Sequence, residues 1–298
     1  MQLALVVAAL AAVCSAGLVV HSLVRPFVRD FVRRTALRID LPLDEGTEQV
    51  MIARVAARER WAAAGGATGA LLPVVLLLPA ERSLVLDYAG GSLGGTAVLL
   101  GFVAGTGLGV GVLASRDAAR PVRVGGPRVA RTSVPRVRDY VAPHERWGAW
   151  LVVAACVAVT VGTALRDGPG LPGMLVAAAC SIPLLAAAGT EILLRRLVGA
   201  RQPASSPLGL AWDDVLRART ARDLVTVPFV AGAYLLLAVL THAGETGALP
   251  DGLAIPLVLA FSLVVAGAGA LLDPRGHVRR RLWPQPPART AGPAVGAR

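Results

Sequence analysis

Residues 147–165 read WGAWLVVAACVAVTVGTAL without a single charge. Arg166 and Asp167 interrupt, and a second run follows at once, GPGLPGMLVAAACSIPLLAAAGT over residues 168–190. A helix needs roughly 20 residues to cross a hydrocarbon core of about 30 Å. Each run is long enough for one crossing, and the short charged break between them is the turn of a helical hairpin.

Further apolar runs lie near residues 2–24, 61–80, 90–114, 224–243 and 252–272, with the hairpin spans placed near 147–165 and 170–190. The pattern predicts an all-α, polytopic transmembrane helical bundle of about seven spans over residues 1–272. Residues 273–298 are left as a cytoplasmic tail, rich in Pro, Ala and Gly towards its end and expected to be disordered. Composition agrees: 55% of residues are hydrophobic, 16% are charged and the mean hydropathy is +0.62, too apolar to cover a soluble domain.

All 30 basic residues are Arg, against 19 acidic ones, for a net charge of +11. Residues 25–60 hold eight arginines, 116–146 eight, 195–222 six and the tail six, while the alternate connections hold only Arg82 and Arg166. Cationic loops stay in the cytoplasm. The expected orientation therefore puts the N-terminus outside and the C-terminus inside, in the cell (plasma) membrane. The same flanking position accounts for the positive charge without nucleic acid, since no folded basic domain is available to present a patch. The first run is read as a retained span: it lacks a basic n-region and is too long for an h-region. Cys14, Cys156 and Cys180 all fall in apolar runs, form no C-x-x-C pair and read as small packing residues.

Two cytoplasmic stretches have helical periodicity. In residues 26–39, Phe27, Val28, Phe31, Val32, Thr35 and Ile39 share one face, which suits a helix lying on an anionic leaflet or one continuing the first span. In residues 208–223, Leu208, Trp212, Val215 and Leu216 share a side, and Asp213 and Arg217 are spaced as an i,i+4 pair. Trp212 is a candidate anchor for a soluble partner, or an indole resting at head-group level. The adjacent Asp213 and Asp214 diverge by about 100° on a helix and have no His or Cys nearby, a poor start for a metal site.

Inside the spans there is no mid-membrane charge of the kind ion-coupled transporters use. Glu191, at the inner end of the fifth span, stands four residues before Arg195, at ion-pair spacing. Gly101, Gly105, Gly107, Gly109 and Gly111 make the third span a close-packing surface, within the chain or between copies in a homo-oligomer. Pro73 and Pro183 each free a helical carbonyl near mid-span. With Cys180 and Ser181 beside Pro183, any intramembrane cavity is expected there. No Walker A, H-E-x-x-H, G-x-S-x-G or aspartate-rich motif occurs, so no catalytic, cofactor-binding or metal-ligating residue is nominated.

In span layout, and in the stretch from Arg201-Gln202-Pro203 through Trp212-Asp213-Asp214, the chain resembles uncharacterised multi-pass membrane proteins of high-GC Gram-positive bacteria. The resemblance implies a fold and no activity. The favoured expectation is a permease-like membrane subunit or scaffold that binds a cytosolic protein. The alternatives are a self-contained small-solute transporter or exporter, and a lipid-acting membrane enzyme using Glu191.

Overall fold

The computed structural model describes residues 17, 25–77, 92–119, 135–166, 171, 173–200, 202, 206–245, 277 and 280–283. These are helical with no strand among them. In chain order the helices are α1 (Arg25–Ile39), α2 (Glu45–Leu77), α3 (Ser92–Ala119), α4 (Val137–Tyr140), α5 (Pro143–Arg166), α6 (Gly173–Gly199) and α7 (Pro207–Glu245).

The helix ends follow local chemistry. Asp40 closes α1 in the left-handed region at φ 53°, a common C-terminal signal for Asn, Asp or Gly. Glu145 Oε2 accepts the Ala142 N–H at 3.2 Å and Pro143 occupies the first turn, where its missing donor costs nothing. Ser206 Oγ accepts the Gly209 N–H at 3.0 Å and Pro207 follows it, a Ser cap with proline at the first position.

Among the described residues three helices, Pro143–Arg166, Gly173–Gly199 and Pro207–Gly244, are long and apolar enough to cross a membrane. Leu100–Arg116 in α3 is a shorter apolar stretch. That is fewer than the expected seven. The runs near 2–24 and 252–272 lie, Gly17 apart, outside the described residues. The outer faces of α5 and α6 carry exposed Leu151, Leu165, Met174, Leu185 and Ile192, as helices surrounded by lipid do.

Consecutive long helices run in alternate directions, and α7 packs against α3, α5 and α6. Its two ends organise two cores. Tyr140, Ala149, Leu194, Ala218, Ala221 and Leu224 pack together at the arginine-rich end. Cys156, Leu171, Leu175, Ala179, Leu235 and Val239 pack at the other.

The glycines of the third expected span are used inside the chain. A Cβ at Gly65 or Gly105 would strike the other residue's carbonyl, and Cβ atoms at Gly69 and Gly109 would strike the carbonyls of Gly101 and Trp61. Backbones of α2 and α3 thus meet along a small-residue seam. Gly107 and Gly111 turn towards Val227 and Leu224 of α7.

Helix α1 departs from expectation. Its buried residues are Val28, Val32, Ala36 and Ile39, and Val28, Val32 and Ala36 pack on Met51 and Val55 of α2 and Trp212 of α7. The part of the apolar face formed by Val28, Val32 and Ile39 is covered by protein, because α2 folds back along it, while Phe27 is left exposed.

Candidate functional site

The arginine-rich ends of α1, α2, α5, α6 and α7 meet in one layer, and the first half of α7 is its spine. Asp213 accepts from Arg54 Nη2 of α2 at 2.6 Å and, as its i,i+4 spacing predicts, from Arg217 Nε at 3.0 Å. The other arm of Arg217 donates to the carbonyls of Leu197 and Ala200 at 2.9 and 2.8 Å. A guanidinium so placed satisfies carbonyls that the end of α6 leaves free and lies at the negative pole of its dipole.

Asp214 is fully buried and gathers three separate segments. Its Oδ1 accepts from Tyr140 Oη of α4 at 3.0 Å and from Gln202 Nε2 of the α6–α7 connection at 2.7 Å. Its Oδ2 accepts from Trp283 Nε1 at 3.0 Å. Nearby, His277 Nε2 lies 2.9 Å from the Arg138 carbonyl, and Leu282 packs on the core around Tyr140. Residues 277 and 280–283, the described residues of the tail, thereby join this layer.

One turn further along α7, Arg219 donates to Glu59 Oε1 at 2.7 Å and lies over the Phe31 ring at 4.4 Å. Arg58 donates to the same Glu59 oxygen at 3.1 Å and pairs with Asp223. Burial, and then repulsion by Arg219, pull the Arg58 guanidinium down to about 10, still a cation at neutral pH. Removing one partner from such a buried set leaves an uncompensated charge, at about 3–5 kcal/mol. At the outer edge, Glu48 accepts from Arg29 and Arg33 at 2.7 Å each.

Glu191 is paired across the bundle and not along its own helix. Arg146 of α5 forks onto both of its oxygens at 2.7 Å, and Trp150 Nε1 stands 3.4 Å from Oε1. Arg195, the expected partner, is exposed. The Arg146–Glu191 pair closes one side of a small cleft of about 10 Å³, room for about one water, whose lining includes Ala149, Thr190 and Pro228.

Trp212 is 2% exposed and its Nε1 points to the Pro42 carbonyl at 3.4 Å, so its ring is spent on joining α7 to α1 and α2. Pro183 is buried within α6. The carbonyl it frees, that of Ala179, faces the Cys156 thiol at 3.4 Å. Ser181 is exposed and donates to the Ala177 carbonyl at 2.6 Å. Pro73 lies in α2, and its side chain falls outside the described residues. Among the described residues, Pro183, Ser181, Glu191 and Trp212 do not meet in one site.

The layer also contains what sequence reasoning missed. Tyr140, Gln202 and Trp283 around Asp214, and Arg58, Glu59, Arg219 and Asp223 between α2 and α7, are joined over long sequence distances that no local spacing encodes. A further joint was signalled by Pro228 inside α7: the Leu224 carbonyl it frees accepts the Thr190 hydroxyl of α6 at 3.0 Å. Carboxylates already held by arginines or by several neutral donors act as structural acceptors. The layer is a joint that fixes helix ends. No protein family, curated protein or solved structure matches the chain.

Proposed function

We propose that the chain is a membrane-embedded scaffold: a multi-pass subunit of about seven spans in the cell membrane, its N-terminus outside and its arginine-rich end in the cytosol, where it binds a soluble protein. The arginine distribution supports the orientation, since 28 of 30 arginines fall in alternate connections or the tail. The tied layer supports the scaffold. Ion pairs, a carboxylate hub and a capped helix end all serve to hold that face rigid, and a preformed surface binds a partner with less ordering cost.

The observation that carries the reading is the outer face of α1. Leu37 is 82% and Phe27 57% exposed, and Arg34 and Arg38 on the same helix are exposed too. Exposed apolar side chains with guanidinium groups beside them, Arg38 and the Asp30-paired Arg34, fit an acidic protein surface with an apolar anchor. This replaces Trp212, which is buried, as the contact. The proline joints favour a scaffold over a transporter, because the carbonyls freed at Ala179 and Leu224 face the Cys156 thiol and the Thr190 hydroxyl and need no water-lined path.

The test is purification from native membranes in mild detergent, with mass spectrometry of the bound proteins. A stoichiometric soluble partner that is lost from a Leu37→Asp/Arg38→Glu variant supports the reading. A clean preparation of this chain alone, with the variant indistinguishable, counts against it. A reporter fused to the C-terminus and active only outside the cell would overturn the orientation.

A further inference from the structure

We propose that two copies of the chain pair through the outer face of α1, antiparallel about a two-fold axis at Val32. Along that helix Phe27, Asp30, Arg34 and Leu37 follow one another at intervals of three, four and three residues, the spacing of a seam between two helices. At about 100° per residue they fall on one side, opposite the buried Val28, Val32 and Ala36. Phe27 is 57% and Leu37 82% exposed, and the side chains of Asp30 and Arg34 are 53% and 68% exposed.

The order of chemistry along this face is apolar, acid, base, apolar, and the reversed order complements it. Phe27 and Leu37 lie at equal distances either side of Val32, and so do Asp30 and Arg34. A second copy laid antiparallel about Val32 therefore sets Phe27 against the other copy's Leu37, and Asp30 against the other copy's Arg34, each twice over. Within one chain Arg34 Nη2 already pairs with Asp30 Oδ2 at 2.6 Å. Across the axis the two pairs close into one ring of alternating charge, in which each carboxylate faces two guanidinium groups. The apolar pairs flank that ring and shield it from water. Parallel pairing would set acid on acid and base on base, so the charges select the antiparallel arrangement.

Copies in one bilayer share an orientation. A two-fold between them runs along the membrane normal, and antiparallel pairing about it lays α1 across that normal. One 15-residue helix gives a contact at the small end of protein interfaces, so the pairing is reversible. The same face is the one offered to a soluble partner. The two contacts exclude each other, and pairing keeps the docking face closed until a partner takes it. That regulation rests on the scaffold reading; the pairing of copies does not.

In the experiment, full-length chains carrying Phe27→Cys and chains carrying Leu37→Cys are reconstituted in phospholipid vesicles, separately and mixed, and treated with a mild thiol oxidant. The unaltered chain gives the background of its own three cysteines. The mixed sample should cross-link well above background and neither variant alone should. Asp30→Arg added to both chains should weaken the cross-link about tenfold, because like charges then meet. Asp30→Arg in one chain and Arg34→Asp in the other should restore it, one face being wholly basic and the other wholly acidic. All four positions are exposed, and rescue by the second charge change excludes misfolding as the cause of a loss. Cross-linking of Phe27→Cys chains with one another, a mixed sample no higher than background, or a signal indifferent to the charge changes overturns the assignment. A native-membrane preparation without a soluble partner would sink the scaffold reading and leave the pairing standing.

Discussion

The hydroxyl of Thr190 donates to the carbonyl of Leu224 at 3.0 Å, the carbonyl that Pro228, four residues on, cannot reach for lack of an N–H. A defect in α7 is thereby repaired from α6. Replacing Thr190 by Val keeps the shape and removes the donor. The expected loss is about 1–2 kcal/mol, in the range of interhelical hydrogen bonds in membranes, read as a lower thermal midpoint in detergent. In a Pro228→Ala background the helix supplies its own donor, and the same substitution should cost almost nothing. Equal losses in both backgrounds would show that the hydroxyl does not serve this carbonyl.

The seam between α2 and α3 predicts an asymmetry among glycines. Gly105→Leu places side-chain atoms where the Gly65 carbonyl stands, and overpacking of a close contact costs about 1–3 kcal/mol or more. Its product should aggregate or lose monodispersity on size exclusion. Gly189 has nothing within 4 Å of a built Cβ. Gly189→Ala should be tolerated and should gain about 0.5–1 kcal/mol of helix propensity.

Asp214→Asn presents an amide where three donors converge. At least one of Tyr140, Gln202 and Trp283 must then lose its acceptor, a cost of about 1–3 kcal/mol for a buried group. Limited proteolysis should cut the segment around Trp283 faster in the variant. Unchanged cleavage would mean that the tail is held by Leu282 packing and not by the carboxylate.

The two guanidinium groups of Arg29 and Arg33 hydrogen-bond Glu48 and hold its carboxyl down to about 2, against an ordinary 4.5. Because the folded state resists protonation, this contribution is complete above about 4.5 and drains away as pH falls towards 2. The docking of α1 on α2 should loosen across that window, detected by faster hydrogen exchange in α1. Glu48→Gln should remove that part of the pH dependence and start from a looser α1 at neutral pH.

Trp212→Ala distinguishes packing from docking. Burial among Val28, Val32, Met51 and Val55 predicts a loss of about 3–5 kcal/mol, with α1 detached. An anchor for a partner would leave the isolated chain's stability unchanged.

Helical periods and long apolar runs made the bundle and the side on which its arginines gather legible in the sequence. So was the Asp213–Arg217 pair, because both residues lie one turn apart on one helix. The partners of Glu191, Trp212 and the glycine stripe were not. Arg146, Val28 and Gly65 belong to other helices, and only the three-dimensional packing selects among many arginines, valines and glycines. The prolines show both sides of this boundary. That Pro183 and Pro228 free the carbonyls four residues earlier follows from covalent structure, whereas Cys156 and Thr190 as the groups facing them do not.

Helix α7 runs unbroken for 39 residues, about 58 Å at the α-helical rise, nearly twice the thickness of a hydrocarbon core. It is a mast stepped through the bundle, with Asp213, Asp214, Arg217 and Arg219 at its foot and Val239 towards its head. A sideways force at the foot is carried to the head as leverage, and Pro228, where the helix lacks one of its own bonds, is the natural fulcrum.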